Sequence, residues 1–276
     1  MNFTFKRSYR GPLKAAILDW AGTTVDYGCR APVRVFVEVF KRRGVEVSEG
    51  QAREPMGLHK RDHIRILSKM EPVSRQWTAR HGKECGEEDI EAMFRDFIPL
   101  QLSCLAEYAD LTPGTLEAVA EMKRRGMKIG TTTGYNREML AMLLAESKQR
   151  GYVPDSSFCP EDVPSGRPAP WMCFRNAMEL QIFPMEAWVK IGDTLSDIAE
   201  GLNAGMWTIG VTKVGNEIGL SPEEVARLAP EELNRRLAAA AHRFVHAGAH
   251  YVVEDLGQVP PLLDQIEARL AHGERP

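Results

Sequence analysis

Ala15-Ala16-Ile17-Leu18-Asp19-Trp20-Ala21-Gly22-Thr23-Thr24-Val25-Asp26 is four apolar residues, an acid, and then a small, hydroxyl-rich turn. Four such apolar residues make a short buried strand. A carboxylate at the carboxyl end of a parallel strand stands where open α/β sheets put their chemistry. Asp is also a common turn residue, so Asp19 alone would read as a turn cap. The rest of the chain decides between the two.

Downstream, residues 28–106 carry only helical spacing. Val33, Phe36, Val37 and Phe40 recur at helical intervals behind Pro32 and stop at Gly44. Ser48 with Gln51 predicts a capping box on a short helix ending near Pro55. Further helices are expected over about 58–70, 72–83 and 87–106. From Leu111 the pattern becomes alternating: a helix from Thr112-Pro113-Gly114 to Gly126, a strand over Met127–Thr133, and a helix capped by Asn136. A helix begins near Ala169, followed by a strand over Trp188–Gly192, a helix over Ser196–Ala204 and a strand over Trp207–Val211. Residues 222–247 read as helical, with start signals at Ser221/Glu224 and at Pro230; a strand over His250–Val253 and a closing helix follow. The alternation predicts an α/β fold, a doubly wound, Rossmann-like parallel sheet. Its core is expected over 1–27 and 107–276, with 28–106 as an inserted all-helical cap.

Of the 276 residues 43% are hydrophobic and 26% charged, the balance of an ordinary globular chain with room for a full core and a smaller second one. A net charge of -3 argues against a nucleic-acid binder, which usually shows a basic face. No apolar run reaches membrane-spanning length. Met1 to Arg10 is polar and basic, without the apolar core of a signal peptide. The five cysteines are scattered and include no Cys-x-x-Cys, which fits reduced thiols and a cytoplasmic protein.

Four strand ends then line up. Asp19 ends the first, and Thr133 with Gly134 ends the second. Arg167 lies in a Pro/Gly turn after the third region, and Gly192-Asp193-Thr194-Leu195-Ser196-Asp197 follows the fourth. Carboxylates, a hydroxyl with neighbouring amides, and a guanidinium at one rim suit a phosphoryl group with a hard cation: carboxylate oxygens take Mg²⁺, and Arg, hydroxyl and amides take phosphoryl oxygens.

This order of residues resembles the haloacid dehalogenase superfamily of aspartyl-nucleophile phosphotransferases, over nearly the whole chain. The resemblance implies that Asp19 is the nucleophile, Asp193 a Mg²⁺ ligand, Asp197 a water-mediated or supporting ligand, and Thr133 and Arg167 phosphoryl binders. Phosphatases of the superfamily carry a second Asp two positions after the nucleophile, as the acid for the leaving oxygen. Here that position is Ala21. Alanine transfers no proton, and such help is typically worth about 10²–10⁴-fold. Either the chain is a poor phosphatase or its leaving group is not an alkoxide.

Lys60 and His63, three apart on one helical face, supply the second answer. A cap amine whose pKa is lowered, by cations such as Arg61 or by burial, forms a Schiff base with a carbonyl substrate. The iminium is an electron sink, which cleavage of a phosphorus–carbon bond requires. These features resemble one family within the superfamily, phosphonoacetaldehyde hydrolase, on Asp19 to Cys29, Pro55-Met-Gly-Leu58 with Lys60, Thr132-Thr-Gly-Tyr135, Gly166-Arg-Pro168 with Pro170-Trp-Met172, and Gly192-Asp-Thr194 with Ser196-Asp197. The resemblance implies a Mg²⁺-dependent homodimer giving acetaldehyde and phosphate in 2-aminoethylphosphonate breakdown. It implies that Lys60 is the Schiff-base lysine, that the Ala21 carbonyl binds Mg²⁺, that Met56 and His63 assist proton transfer, and that Cys29 and Tyr135 border the substrate. Competing readings are a phosphate-ester phosphatase, a dehalogenase, and a catalytically dead binding protein in which Ala21 marks decay.

Overall fold

The computed structural model describes residues 8–276, so the leader up to Arg7 lies outside the described residues. Six parallel strands form one sheet in the order β3-β2-β1-β4-β5-β6. They are β1 Ala15–Leu18, β2 Lys128–Thr132, β3 Ser156–Phe158, β4 Trp188–Gly192, β5 Trp207–Val211 and β6 Tyr251–Val253. Every residue of β1, β4 and β5 is buried, as strands covered on both faces require. The strand order turns back at β1, so the switch point lies between β1 and β4, and the crevice beyond their carboxyl ends is where such sheets bind ligands. Register puts Leu18 beside Thr131 on one side and Ile191 on the other. Asp19 is therefore level with Gly192 on the neighbouring strand, one residue short of Asp193.

Between β1 and β2 the chain is helical: α1 Arg30–Lys41, α2 Glu49–Arg53, α3 Lys60–Lys69, α4 Glu71–His81 and α5 Glu87–Leu105. α1 starts two residues before the expected Pro32, because the buried Asp26 carboxylate accepts the first free amides, from Arg30 and Ala31, at 3.0 Å each. The capping box of Ser48 and Gln51 is formed as expected. α1 and α3 both pack on α5. Phe36, Ile64, Leu67, Trp77, Met93 and Phe97 are buried there, and their apolar cluster also takes in Ile129 and Ile191 of the sheet.

The remaining helices are α6 Thr115–Arg124, α7 Arg137–Gln149, α8 Trp171–Glu179, α9 Leu195–Asn203, α10 Pro222–Arg227, α11 Pro230–His246 and α12 Pro260–Ala271. The helical run over 222–247 is two helices, one from each of its two start signals: Ser221 and Glu224 box the first, Leu228 is extended, and Pro230 opens the second. β3 carries no sequence signal: it is a three-residue edge strand whose first two residues are serines. Among the described residues, no helix is long and apolar enough to cross a membrane.

Candidate active site

Asp19 leaves β1 with its amide bonded to the Ile191 carbonyl at 3.0 Å, which locks the end of β1 to β4. Asp193 follows β4, and Asp197 lies in the first turn of α9, where Thr194 caps the helix. Ligand oxygens of Asp19, Asp193 and Asp197 lie within 4.8 Å of one another, all buried. Asp193 accepts Thr23 Oγ1 at 3.1 Å on one oxygen and the Asn216 amide at 2.7 Å on the other. Its setting is glycine-lined: a Cβ on Gly22 or Gly215 would collide with the Asp193 side chain. Burial raises the Asp193 carboxyl well above the usual range, and the Asp19 and Asp197 carboxylates add to it. Burial likewise raises Asp19, against the opposing pull of Arg167. Burial also pushes Asp197 up, but Arg167 and Lys190 outweigh it and hold that carboxyl below its ordinary value.

Arg167, with its side chain only 1% exposed, meets three acids. Nη2 donates to Asp19 Oδ1 at 2.6 Å and to the Thr132 carbonyl at 2.8 Å, and Nε donates to Glu200 Oε2 at 2.9 Å. Nη1 stands 3.0 Å from Asp197 Oδ1 as an ion pair. Lys190 Nζ completes the group, at 2.7 Å from Asp197 Oδ1.

Above this floor, a cavity of about 20 Å³ is lined by Asp19, Ala21, Cys29, Met56, Gly57, Lys60, Thr133, Gly134, Tyr135, Arg167 and Thr194. Lys60 opens α3 and is buried there, with Nζ 4.7 Å from the centre of the Tyr135 ring. Burial lowers its pKa to about 8. Arg61 is not the cause: it turns outward to Glu87 and Glu91. Burial pushes the Cys29 thiol and the Tyr135 phenol well up, so both stay neutral. Cys29 holds a left-handed φ of 49° at the start of α1, and the buried Tyr135 hydroxyl has no hydrogen-bond partner among the described residues.

His63 is not among the cavity's lining residues. Its ring stacks on Phe36 at 3.6 Å, and Nε2 bonds the Ala52 carbonyl at 2.9 Å, which leaves Nδ1 as the unpartnered nitrogen. Burial and then Lys60 hold it well below the usual histidine pKa. His59 is mostly covered and sits edge-on to Phe94. A larger cavity of about 750 Å³, beside Lys69, Arg75 and Cys85 on the helical segment, shares no residue with this site.

The helical segment docks on the rim beyond the carboxyl ends of β2 and β4 through backbone-close contacts. A Cβ on Gly57, whose φ is +88°, would collide with Thr194 and Ser196, and a Cβ on Gly134 with the Leu58 carbonyl. Ser196 Oγ donates to the Met56 carbonyl at 2.9 Å. From α2, Arg53 donates to the carbonyls of Gly28 at 2.8 Å and Gly219 at 2.7 Å, and Asn216 Nδ2 returns a bond to the Arg53 carbonyl at 3.1 Å.

A family model of haloacid dehalogenase-like hydrolases matches residues 13–205. The chain belongs to that family. It is 49% identical over 274 residues, 99% of each chain, to a phosphonoacetaldehyde hydrolase of Syntrophobacter fumaroxidans. It is 51% identical, over the same shares, to a phosphonoacetaldehyde hydrolase-like protein of that organism. The crystal structure of a phosphonoacetaldehyde hydrolase-like protein from Oleispira antarctica superposes with a TM-score of 0.97 at 39% identity, covering 100% of both chains. Membership makes the chain a hydrolase, with a parallel sheet and helices of the haloacid dehalogenase type.

Three buried carboxylates in a glycine-lined setting form a hard-oxygen donor set that fits a divalent cation. Asp19, Ala21, Thr133, Gly134, Arg167, Cys29, Met56, Lys60 and Tyr135 thus share one cavity, with Asp193 and Asp197 beside it and His63 behind Phe36. Thr132 entered only as part of the Thr132–Tyr135 motif, without a role of its own, and Lys190, Glu200 and Arg53 stood out in no motif. Lys190 interrupts an otherwise apolar strand, and that polar break was the one available signal.

Proposed function

We propose that this chain hydrolyses phosphonoacetaldehyde to acetaldehyde and phosphate. One observation carries the reading: the Lys60 amine and the Asp19 carboxylate open on the same small cavity, while Ala21 fills the position of a phosphatase's acid. Residues 28–106 act as a cap domain over a core of 1–27 and 107–276.

Lys60, with its pKa brought down to about 8, adds to the aldehyde carbon, and water leaves to give an iminium. The Asp19 carboxylate attacks phosphorus. The carbon–phosphorus electrons pass into the iminium, so the carbon departs as a neutral enamine and phosphorus stays on Asp19. The enamine carbon takes a proton, and water releases acetaldehyde from Lys60. A second water cleaves the aspartyl phosphate, restoring Asp19. Arg167, the Thr133 hydroxyl and the Gly134 amide hold the phosphonyl oxygens. Cys29 and Tyr135, both neutral, border the aldehyde end, and Met56 and His63 assist proton transfer at Lys60.

Mg²⁺ suits the donor set, with Asp19, the Ala21 carbonyl and Asp193 as ligands and Asp197 supporting; when bound it supplies positive charge against the phosphonyl oxygens. The chain acts in the cytoplasm as a homodimer, in 2-aminoethylphosphonate breakdown.

Borohydride added with phosphonoacetaldehyde is expected to inactivate the protein irreversibly and to tag Lys60. Label on another residue, or full activity in Lys60→Arg, overturns the reading. A phosphate assay with and without Mg²⁺, run beside simple phosphomonoesters, separates it from a phosphatase.

A further inference from the structure

Lys190 in β4 and Glu200 in α9 are completely buried beneath the carboxylate floor, and the proposed reaction uses neither. Burying two ionised side chains is costly unless they are well paired. A purely structural pair would satisfy itself, yet Lys190 Nζ and Glu200 Oε2 are 3.4 Å apart while each makes shorter contacts elsewhere. Glu200 Oε2 accepts Arg167 Nε and Thr132 Oγ1, both at 2.9 Å. Lys190 Nζ donates to Asp197 Oδ1 at 2.7 Å and to Thr132 Oγ1 at 3.1 Å. Thr132 Oγ1 also accepts Arg167 Nη2 at 2.7 Å, so its single proton and both acceptor positions are spent within the group.

We propose that Glu200 and Lys190 are positioning residues for the phosphoryl site, Glu200 by aiming Arg167 and Lys190 by fixing Asp197. A guanidinium is a rigid planar fork that prefers to grip a carboxylate with two nitrogens. Such a grip on Asp19 would engage both oxygens of the nucleophile. Glu200 holds the fork by Nε, and Arg167 then reaches Asp19 through Nη2 and Oδ1 alone. Charge points the same way. Asp19, Asp193, Asp197 and Glu200 face Arg167 and Lys190, so with all six ionised two negative charges remain, the complement of one divalent cation. Neutralising Glu200 removes one of them and frees Arg167 to pair fully with Asp19.

The inference rests on Asp19 and Arg167 forming a phosphoryl site, so its test does not depend on turnover. Inorganic phosphate is titrated calorimetrically into the full chain with Mg²⁺ present, for wild type, Glu200→Gln, and the charge-neutral pair Glu200→Gln/Lys190→Met. Glu200→Gln is expected to weaken phosphate binding about tenfold and to lower kcat on phosphonoacetaldehyde by roughly 10²-fold, the scale of losing an oriented donor, with KM little changed. Borohydride trapping of acetaldehyde on Lys60, which depends on the cap, stays at the wild-type level. The double variant restores the charge balance without the aim and is expected to bind phosphate as weakly as the single one. It also serves if the single variant does not fold. Near-wild-type phosphate affinity in either folded variant overturns the proposal, as does wild-type protein that binds no phosphate. Wild-type protein that binds phosphate but does not cleave phosphonoacetaldehyde overturns only the substrate assignment.

Discussion

Lys60 sets the pH behaviour of the proposed reaction. An ordinary lysine, near 10.4, has well under 0.1% free amine at neutral pH, whereas a group titrating at about 8 has about a tenth. kcat/KM is therefore expected to rise as pH increases through about 8 and then to level off, measured by phosphate release across a pH series. The same shift carries a stability cost. The folded state gives up the Lys60 proton more readily than the unfolded chain, so the cost is full below about pH 8 and fades as pH climbs toward the unfolded value. Lys60→Met is accordingly expected to abolish turnover yet stabilise the fold at pH 7 by on the order of 3 kcal/mol, read by denaturant unfolding. At this scale the sequence was readable where a residue's type departs from its surroundings: Ala21 after an acid, Arg167 between Gly and Pro. Glu200 was not, because an acid within an amphipathic helix reads as a solvated one until the fold turns it inward.

Among the elements, α2 does more than its five residues suggest, since Arg53 ties it to Gly28, Asn216 and Gly219. Asn216 in turn gives its amide to Asp193, so the clasp between cap and core ends on a proposed metal ligand. Arg53→Ala is expected to raise KM and lower kcat/KM by about tenfold, with thermal unfolding only slightly affected, because the lost bonds to Asn216 and Gly219 span the boundary of the proposed cap. Gly57→Ala is the sharper test: its +88° φ and the crowding by Thr194 and Ser196 leave no room, and phosphate release should fall at least 10²-fold as the Lys60 loop is pushed off the core. Elements with strong periodicity were legible, and β4 and β5 fall on their expected residues. β3 was not, since Ser156 and Ser157 gain strand character only by pairing with β2, whereas the 222–247 run divides at Pro230, the second of its two start signals.

For the whole molecule, the doubly wound order puts Asp19 and Asp193 on adjacent strands at the switch point, while the helices between β1 and β2 bring Lys60 over them. The sequence conveyed this plan because insert and sheet use different periods; it could not convey how tightly the two halves close. The answer is a cavity of about 20 Å³, space for about one water molecule. A chamber that small does not hold phosphonoacetaldehyde together with the water that ends the reaction. Substrate entry is therefore expected to require the proposed cap to draw away from the core. Catalysis should then run at the pace of a hinge moving through solvent: raising viscosity with sucrose is expected to slow kcat in proportion, and a rate indifferent to viscosity would mean that bond cleavage sets the tempo instead.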